Sequence, residues 1–216
     1  MADSLRERVD LALADLWDPA LAALRQQLAD RLEREIEAAR REAADCAAAD
    51  AARAARQSFS ESLHLGVRRI LRATTVTEIG AALLESASAY CGRVALLVHK
   101  GNLLSGWRAC GGQESAEAIA RRWAGLRVPV AGAPAFAQAI ESREAVVSLS
   151  LPHHLSSDVV QLLGLTPDEK VYLFPLCLRQ TVVGVVYADS RGAAEEVLGP
   201  AIEMLCAVAE AAMEAV

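Results

Sequence analysis

The chain has 216 residues, 53% of them apolar and only 4% aromatic, and a formal net charge of −6. That much apolar surface excludes disorder throughout and predicts an aliphatic, alanine-lined core. The acidic balance excludes a general electrostatic attraction to nucleic acid or to an anionic membrane.

Composition divides the chain near residue 57. Residues 1–57 contain no glycine, a single proline (Pro19), a single aromatic (Trp17) and eighteen alanines. Residues 58–216 hold all thirteen glycines and so carry the turn punctuation of a globular domain. The first region therefore reads as thin and helical. Asp18-Pro19 is expected to divide it, with Asp18 as N-cap and Pro19 at the first helical position. A short helix from about Ser4 to Trp17 precedes them, with Leu5, Val9, Leu13 and Leu16 on one face. A second helix runs from Pro19 to about Gln57, on the order of 58 Å at 1.5 Å per residue.

Leu21, Leu24, Leu28, Leu32 and Ile36 lie along one stripe of this long helix, continued by Ala39, Ala43, Ala47 and Ala54. Leu21, Leu32, Ala43 and Ala54 are eleven apart. This period matches a straight or slightly right-handed bundle rather than a left-handed coil. Five large apolar side chains in line would form an exposed patch on a lone helix. The expectation is a coiled-coil region that pairs with a second copy through these five residues. The competing reading is a solvated helix sustained by the propensity of Ala, Leu, Arg and Glu alone.

Residues 58–73 read as helix with Phe59, Leu63, Val67 and Ile70 on one side, although Gly66 weakens the pattern. Thr75 to Glu78 fits a capping box, and a helix follows to about Cys91 with Ile79, Leu83, Ala87 and Tyr90 inward. Val94–His99 and Leu103–Cys110 form a hairpin about Lys100-Gly101-Asn102. Then come a helix over Glu114–Ala124, a short strand over Leu126–Val130, a helix over Ala133–Glu141 and a strand over Ala145–Leu149. Leu151–Asp168 reads as loop with a short helix. Val171–Leu178 and Thr181–Asp189 are the clearest strands, joined by a tight turn at Arg179-Gln180 of open type. The last helix starts near Ala194 or Pro200 and is apolar nearly all round, so it should be covered on two sides, by the sheet and by another helix of this chain or its copy.

Hairpins with helices before, between and after them indicate an α+β fold, an antiparallel sheet flanked by helices and preceded by the long helical region. The order helix, hairpin, variable middle, hairpin, terminal helix resembles a GAF domain. The residues that carry the resemblance are the opening helix Ile79–Cys91, the strand Arg93–His99, and Leu173-Phe174-Pro175-Leu176 followed by Thr181-Val182-Val183-Gly184-Val185-Val186-Tyr187-Ala188-Asp189. The resemblance covers roughly residues 60–216, and the related PAS fold shares the element pattern. It implies a small-molecule sensor or dimerisation module in signal transduction, often beside long signalling helices. It also places the middle segment, with His153-His154, along the ligand pocket.

Several ligand-specific branches of that family are missing their marks. Asn102 is the only asparagine, so the Asn-Lys-x-x-Phe-Asp-Glu signature of the cyclic-nucleotide branch is absent. None of the five cysteines precedes a histidine, as the bilin-attaching cysteine commonly does, and no cysteine lies between 111 and 176, where the methionine-sulfoxide-reducing branch carries its own. The cysteines at 46, 91, 110, 177 and 206 are odd in number and follow neither a disulfide nor a metal spacing. They read as buried, reduced thiols, which points to the cytoplasm. No signal-peptide pattern follows Met1, and no uncharged apolar run reaches the ~18 residues of a membrane span.

Trp107, Arg108, Trp123, Phe136, His153 and His154 are the candidate ligand-binding residues: aromatic walls, an anion partner and two imidazoles. The alternative for the aromatics is core packing, and for the histidines a solvated loop, since no carboxylate or thiol other than Asp158 lies within four residues to complete a metal site. No catalytic residues and no metal are expected, and the cofactor, if any, is unknown. The leading reading is a non-enzymatic, cytoplasmic GAF-like module, homodimeric through the N-terminal helices with a C-terminal contribution, acting as sensor or adaptor for a separate output protein. It has no membrane or nucleic-acid partner. The alternatives are a purely structural dimer with a filled pocket and, last, a thiol reductase.

Overall fold

The computed structural model describes the backbone of residues 2–111, 122–167, 169–191 and 196–216, with side chains at residue 19 and from 21 onward within those ranges. The chain divides into two compact units, Met1–Ser58 and Phe59–Val216.

The first unit is helix throughout its described length, part of α1 (Ala2–Arg72). The break expected at Asp18-Pro19 does not occur: Pro19 lies inside α1. A proline in a helix interior forfeits one backbone bond and costs roughly 3 kcal/mol. The Ala-, Leu-, Arg- and Glu-rich sequence on both sides favours helix strongly enough to carry that cost, and ending the helix would require nucleating a second one. The leucine stripe lies on this helix, whereas the face formed by Leu5, Val9, Leu13 and Leu16 falls among side chains outside the described ones. Local pairs reinforce the exposed surface, among them Gln26 with Asp30 at 2.9 Å and Arg41 with Glu37 at 3.4 Å.

The second unit begins with the end of α1 and continues into α2 (Val76–Ala87) and a 3-10 turn, Ser88–Tyr90. The capping box forms with one adjustment. The Thr75 hydroxyl accepts the Glu78 N–H at 3.2 Å, but the Glu78 carboxylate reaches back to the Thr74 N–H and hydroxyl, each at 2.9 Å. Gly66 has a packing reason. A Cβ there would lie 3.0 Å from Ser86 Cβ and 3.2 Å from Leu205 Cδ2, so the missing side chain lets three helices approach.

Then follow β1 (Arg93–Lys100), β2 (Leu103–Gly111), β3 (Arg127–Pro129), α3 (Pro134–Ser142), β4 (Val146–Leu149), α4 (Pro152–Leu155), α5 (Ser157–Leu163), β5 (Lys170–Leu178), β6 (Thr181–Asp189) and α6 (Gly199–Glu214). The segment read as loop with one short helix forms two short helices, α4 and α5. Pro152 starts the first and Ser156, at φ 89°, separates them. Residues 122–125 are helical; the rest of the helix expected over 114–124 lies outside the described residues, as does the 194–195 start of the last one.

The six strands form one antiparallel sheet in the order β3-β2-β1-β6-β5-β4. One face packs α3, α4 and α5 over a cluster containing Trp123, Phe136, Leu155 and Tyr187. The other packs the end of α1 with α2 and α6 over Ile70, Ile79, Leu83 and Leu205. The apolar second side of α6 is therefore covered by α2 of its own chain. The β5–β6 turn is type I′, with φ of 47° at Arg179 and 67° at Gln180. Neither residue is the Asn or Gly that this turn favours. The Arg179 N–H donates to Glu214 at the end of α6 (2.9 Å), which helps to hold it.

Candidate functional site

The six candidate ligand residues do not converge. Trp123 is 1% exposed and Phe136 fully buried, both in the cluster beneath α3 to α5. The Trp123 ring sits 6.0 Å from that of Tyr187. Trp107 packs on the opposite face of the sheet, with the cluster beneath α2 and α6. Arg108 is exposed and pairs with Glu85 of α2 at 3.4 Å, Glu85 also facing Arg69 at 3.8 Å. His153 and His154 fall on α4 with ring centroids 4.4 Å apart, and His154 also lies 3.5 Å from the Ser148 hydroxyl. Among the described residues no three His, Cys, Asp or Glu side chains are grouped to hold a metal ion.

Trp107 sits at a bulge, on the face opposite to its neighbour Gly106, whose Cβ position would meet Trp123. In the β1–β2 ladder Leu96 pairs with Arg108 and Leu97 with Gly106, so Trp107 is left as the extra residue. A bulge re-aims side chains. A second one lies nearby: Leu176 pairs with Gly184 and Cys177 with Val182, which skips Val183. The Cys177 N–H at this irregularity donates instead to Glu210 of α6 at 2.6 Å. The His99 ring N–H donates to the Val182 carbonyl at 2.9 Å and secures the end of β6. Trp107 and Val183 both border a cavity of about 210 Å³ on the helical face of the sheet, between the first turn of α2 and the end of α6.

On the same unit lies a buried charged network. Asp189 is 1% exposed, and its Oδ2 accepts from Arg93 Nε (3.0 Å), Arg93 Nη2 (2.5 Å) and the Tyr187 hydroxyl (2.5 Å). Its Oδ1 accepts the Arg191 N–H at 3.0 Å. Arg93 and Arg191 both donate to the Leu163 carbonyl, and Arg191 also to that of Gly164, so the network ties the end of α5 to the sheet. Both oxygens of the buried carboxylate therefore accept hydrogen bonds. Burial pushes the Tyr187 phenol well above its ordinary value, with the Asp189 charge acting in the same direction.

Similar solved structures were found, while no family model and no curated protein matches the sequence. The photosensory core module of a Stigmatella aurantiaca phytochrome superposes with a TM-score of 0.57 at 14% identity, covering 74% of this chain and 37% of that one. A segment of a methyl-accepting chemotaxis protein gives 0.55 at 18% identity, covering 71% and 96%. A GAF domain/HD domain protein of Geobacter sulfurreducens gives 0.53 at 15%, covering 66% and 93%. The fold is GAF-like.

The chain spans little more than a third of the phytochrome module's length and 60% of that of a Stigmatella chromophore-binding domain. Within the GAF-like unit burial holds the thiols toward their protonated form. Burial pushes Cys91 up to about 12, with the Asp189 charge adding to it, and raises Cys110, Cys177 and Cys206 as well. The thiolate is the reactive form, so the environment works against thiol chemistry at neutral pH. No helix among the described residues is long and apolar enough to cross a membrane.

Proposed function

We propose that this chain is a non-enzymatic signalling module of GAF-like fold that acts as a homodimer, paired along α1, and passes its state to a separate output protein. The observation that carries the reading is the stripe on α1. Leu21, Leu24, Leu28, Leu32 and Ile36 lie in line and are 44%, 53%, 53%, 61% and 51% exposed. Covering each of these half-exposed side chains with an apolar neighbour is worth about 1 kcal/mol. A second copy supplies an identical stripe and so satisfies both at once. The likeness in fold to signalling proteins such as the chemotaxis segment supports the class of function.

A second reading, a purely structural pairing protein, draws on the layer between the sheet and α3 to α5. Trp123, Phe136, Leu155 and Tyr187 fill it with their own side chains. Both readings require the dimer. Light scattering on the full chain tests it: the expected mass is twice 22.9 kDa at micromolar concentration, and a mass of one chain sinks both.

A further inference from the structure

We infer that the cavity on the helical face of the GAF-like unit is a binding site for a small, neutral, aromatic molecule of one or two fused rings. It lies across the sheet from Trp123 and Phe136, and of the sequence's candidates it takes in only Trp107. Four features shape it. The two residues that the ladders skip, Trp107 and Val183, both line it, so both departures from regular pairing serve the same place. Its lining also includes two glycines at which a side chain would be crowded. A Cβ on Gly80 would lie 3.1 Å from the Trp107 ring, and one on Gly184 would lie 2.8 Å from the Leu97 carbonyl oxygen. Bulges next to bare glycines keep the sheet locally irregular and open, where regular β-branched strands would pack shut.

The chemistry of the walls selects the ligand. Among the described residues no charged side chain lines the cavity, so an ion would lose its hydration with nothing from them in return. The side-chain groups able to hydrogen-bond are the Thr77 hydroxyl and the Trp107 indole N–H, which suit a single hydroxyl or amine on the ligand. The half-buried Trp107 contributes an aromatic wall, and Met213 a soft, adaptable thioether. An apolar cavity of about 150 Å³ holds a benzene ring. The 210 Å³ here leaves room for a second fused ring or a substituent. This site does not depend on pairing through α1.

The test uses the full chain with 2-naphthol and its charged counterpart 2-naphthoate, followed by calorimetry and tryptophan fluorescence. The expected result is saturable binding of one 2-naphthol per chain, at least ten-fold tighter than 2-naphthoate. Val98→Trp fills the cavity from a position that is 41% exposed, and Val183→Phe fills it from the bulge. Each, with wild-type thermal unfolding, should weaken 2-naphthol binding at least ten-fold. Absence of saturable binding to the wild-type chain overturns the inference, as does binding that survives both folded variants. So does a result in which the variants change only the mass in solution, since the cavity would then seat a second copy. Light scattering run beside the titration separates this failure from a failure of the dimer.

Discussion

Asp189 is the residue on which most of the unit's buried polarity converges. It takes three donors on one oxygen and a backbone N–H on the other, at 1% exposure. Asp189→Ala leaves the Arg93 guanidinium (11% exposed) without its counter-charge and the Tyr187 hydroxyl without an acceptor. The expected loss is about 3–5 kcal/mol in urea-induced unfolding, the range for breaking a buried pair from one side. A loss below about 1 kcal/mol would mean that water reaches the cluster. Glu210 gives the opposite sign. Burial raises its carboxyl above the ordinary 4.5, opposed by the Cys177 N–H and aided by Glu214. A raised folded value means that the stability this group contributes is present in acid and is lost as the pH rises through that value. Glu210→Gln keeps an acceptor for Cys177 and removes the charge. It should match the wild type near pH 4 and exceed it at pH 7, and equal stability at both would refute the burial argument. Neither residue was singled out from the sequence, though an aspartate closing an eight-residue run of Thr and apolar residues was the available sign. The aromatics were legible as important, but not their side of the sheet. Trp107 lies on β2 and Trp123 on the helical residues 122–125, in clusters on opposite faces of the sheet, and which face each meets is set by long-range packing rather than by the residues themselves.

Elements were far more legible than residues. Thr75 to Glu78 announced the start of α2, and the alternation in 171–189 announced the central hairpin, because both signals are local. One reading failed where a local rule met a longer-range preponderance. Pro19 was taken for a helix start, yet the helix formers on either side carry it through. Gly66 looked like a weakness in the helix and is instead the contact point of α1 with α2 and α6. Gly66→Val tests that role. The added side chain has Ser86 and Leu205 in its way, so the substitution should cost about 1–3 kcal/mol, as overpacking does. Helix propensity alone would give the opposite sign, since Val is the better helix former. A more stable variant in thermal unfolding would therefore show that the approach of the three helices is looser than described.

At the scale of the molecule, the division of labour follows from composition. The glycine-free leading region can make a helix but no core, while the second unit closes two clusters on the faces of one sheet. The stripe was fully legible because its period belongs to a single helix. The cavity proposed as a binding site was not, because it needs two ladders and two helices to be placed together. The pairing we propose runs along this stripe, and its centre is Leu28, 53% exposed. The most direct measurement is the light-scattering mass of Leu28→Glu beside the wild type at matched micromolar concentration. The expected result is twice 22.9 kDa for the wild type and a shift toward 22.9 kDa for the variant, with unchanged thermal unfolding of the Phe59–Val216 unit. A variant that keeps the wild-type dimer mass would contradict pairing through α1.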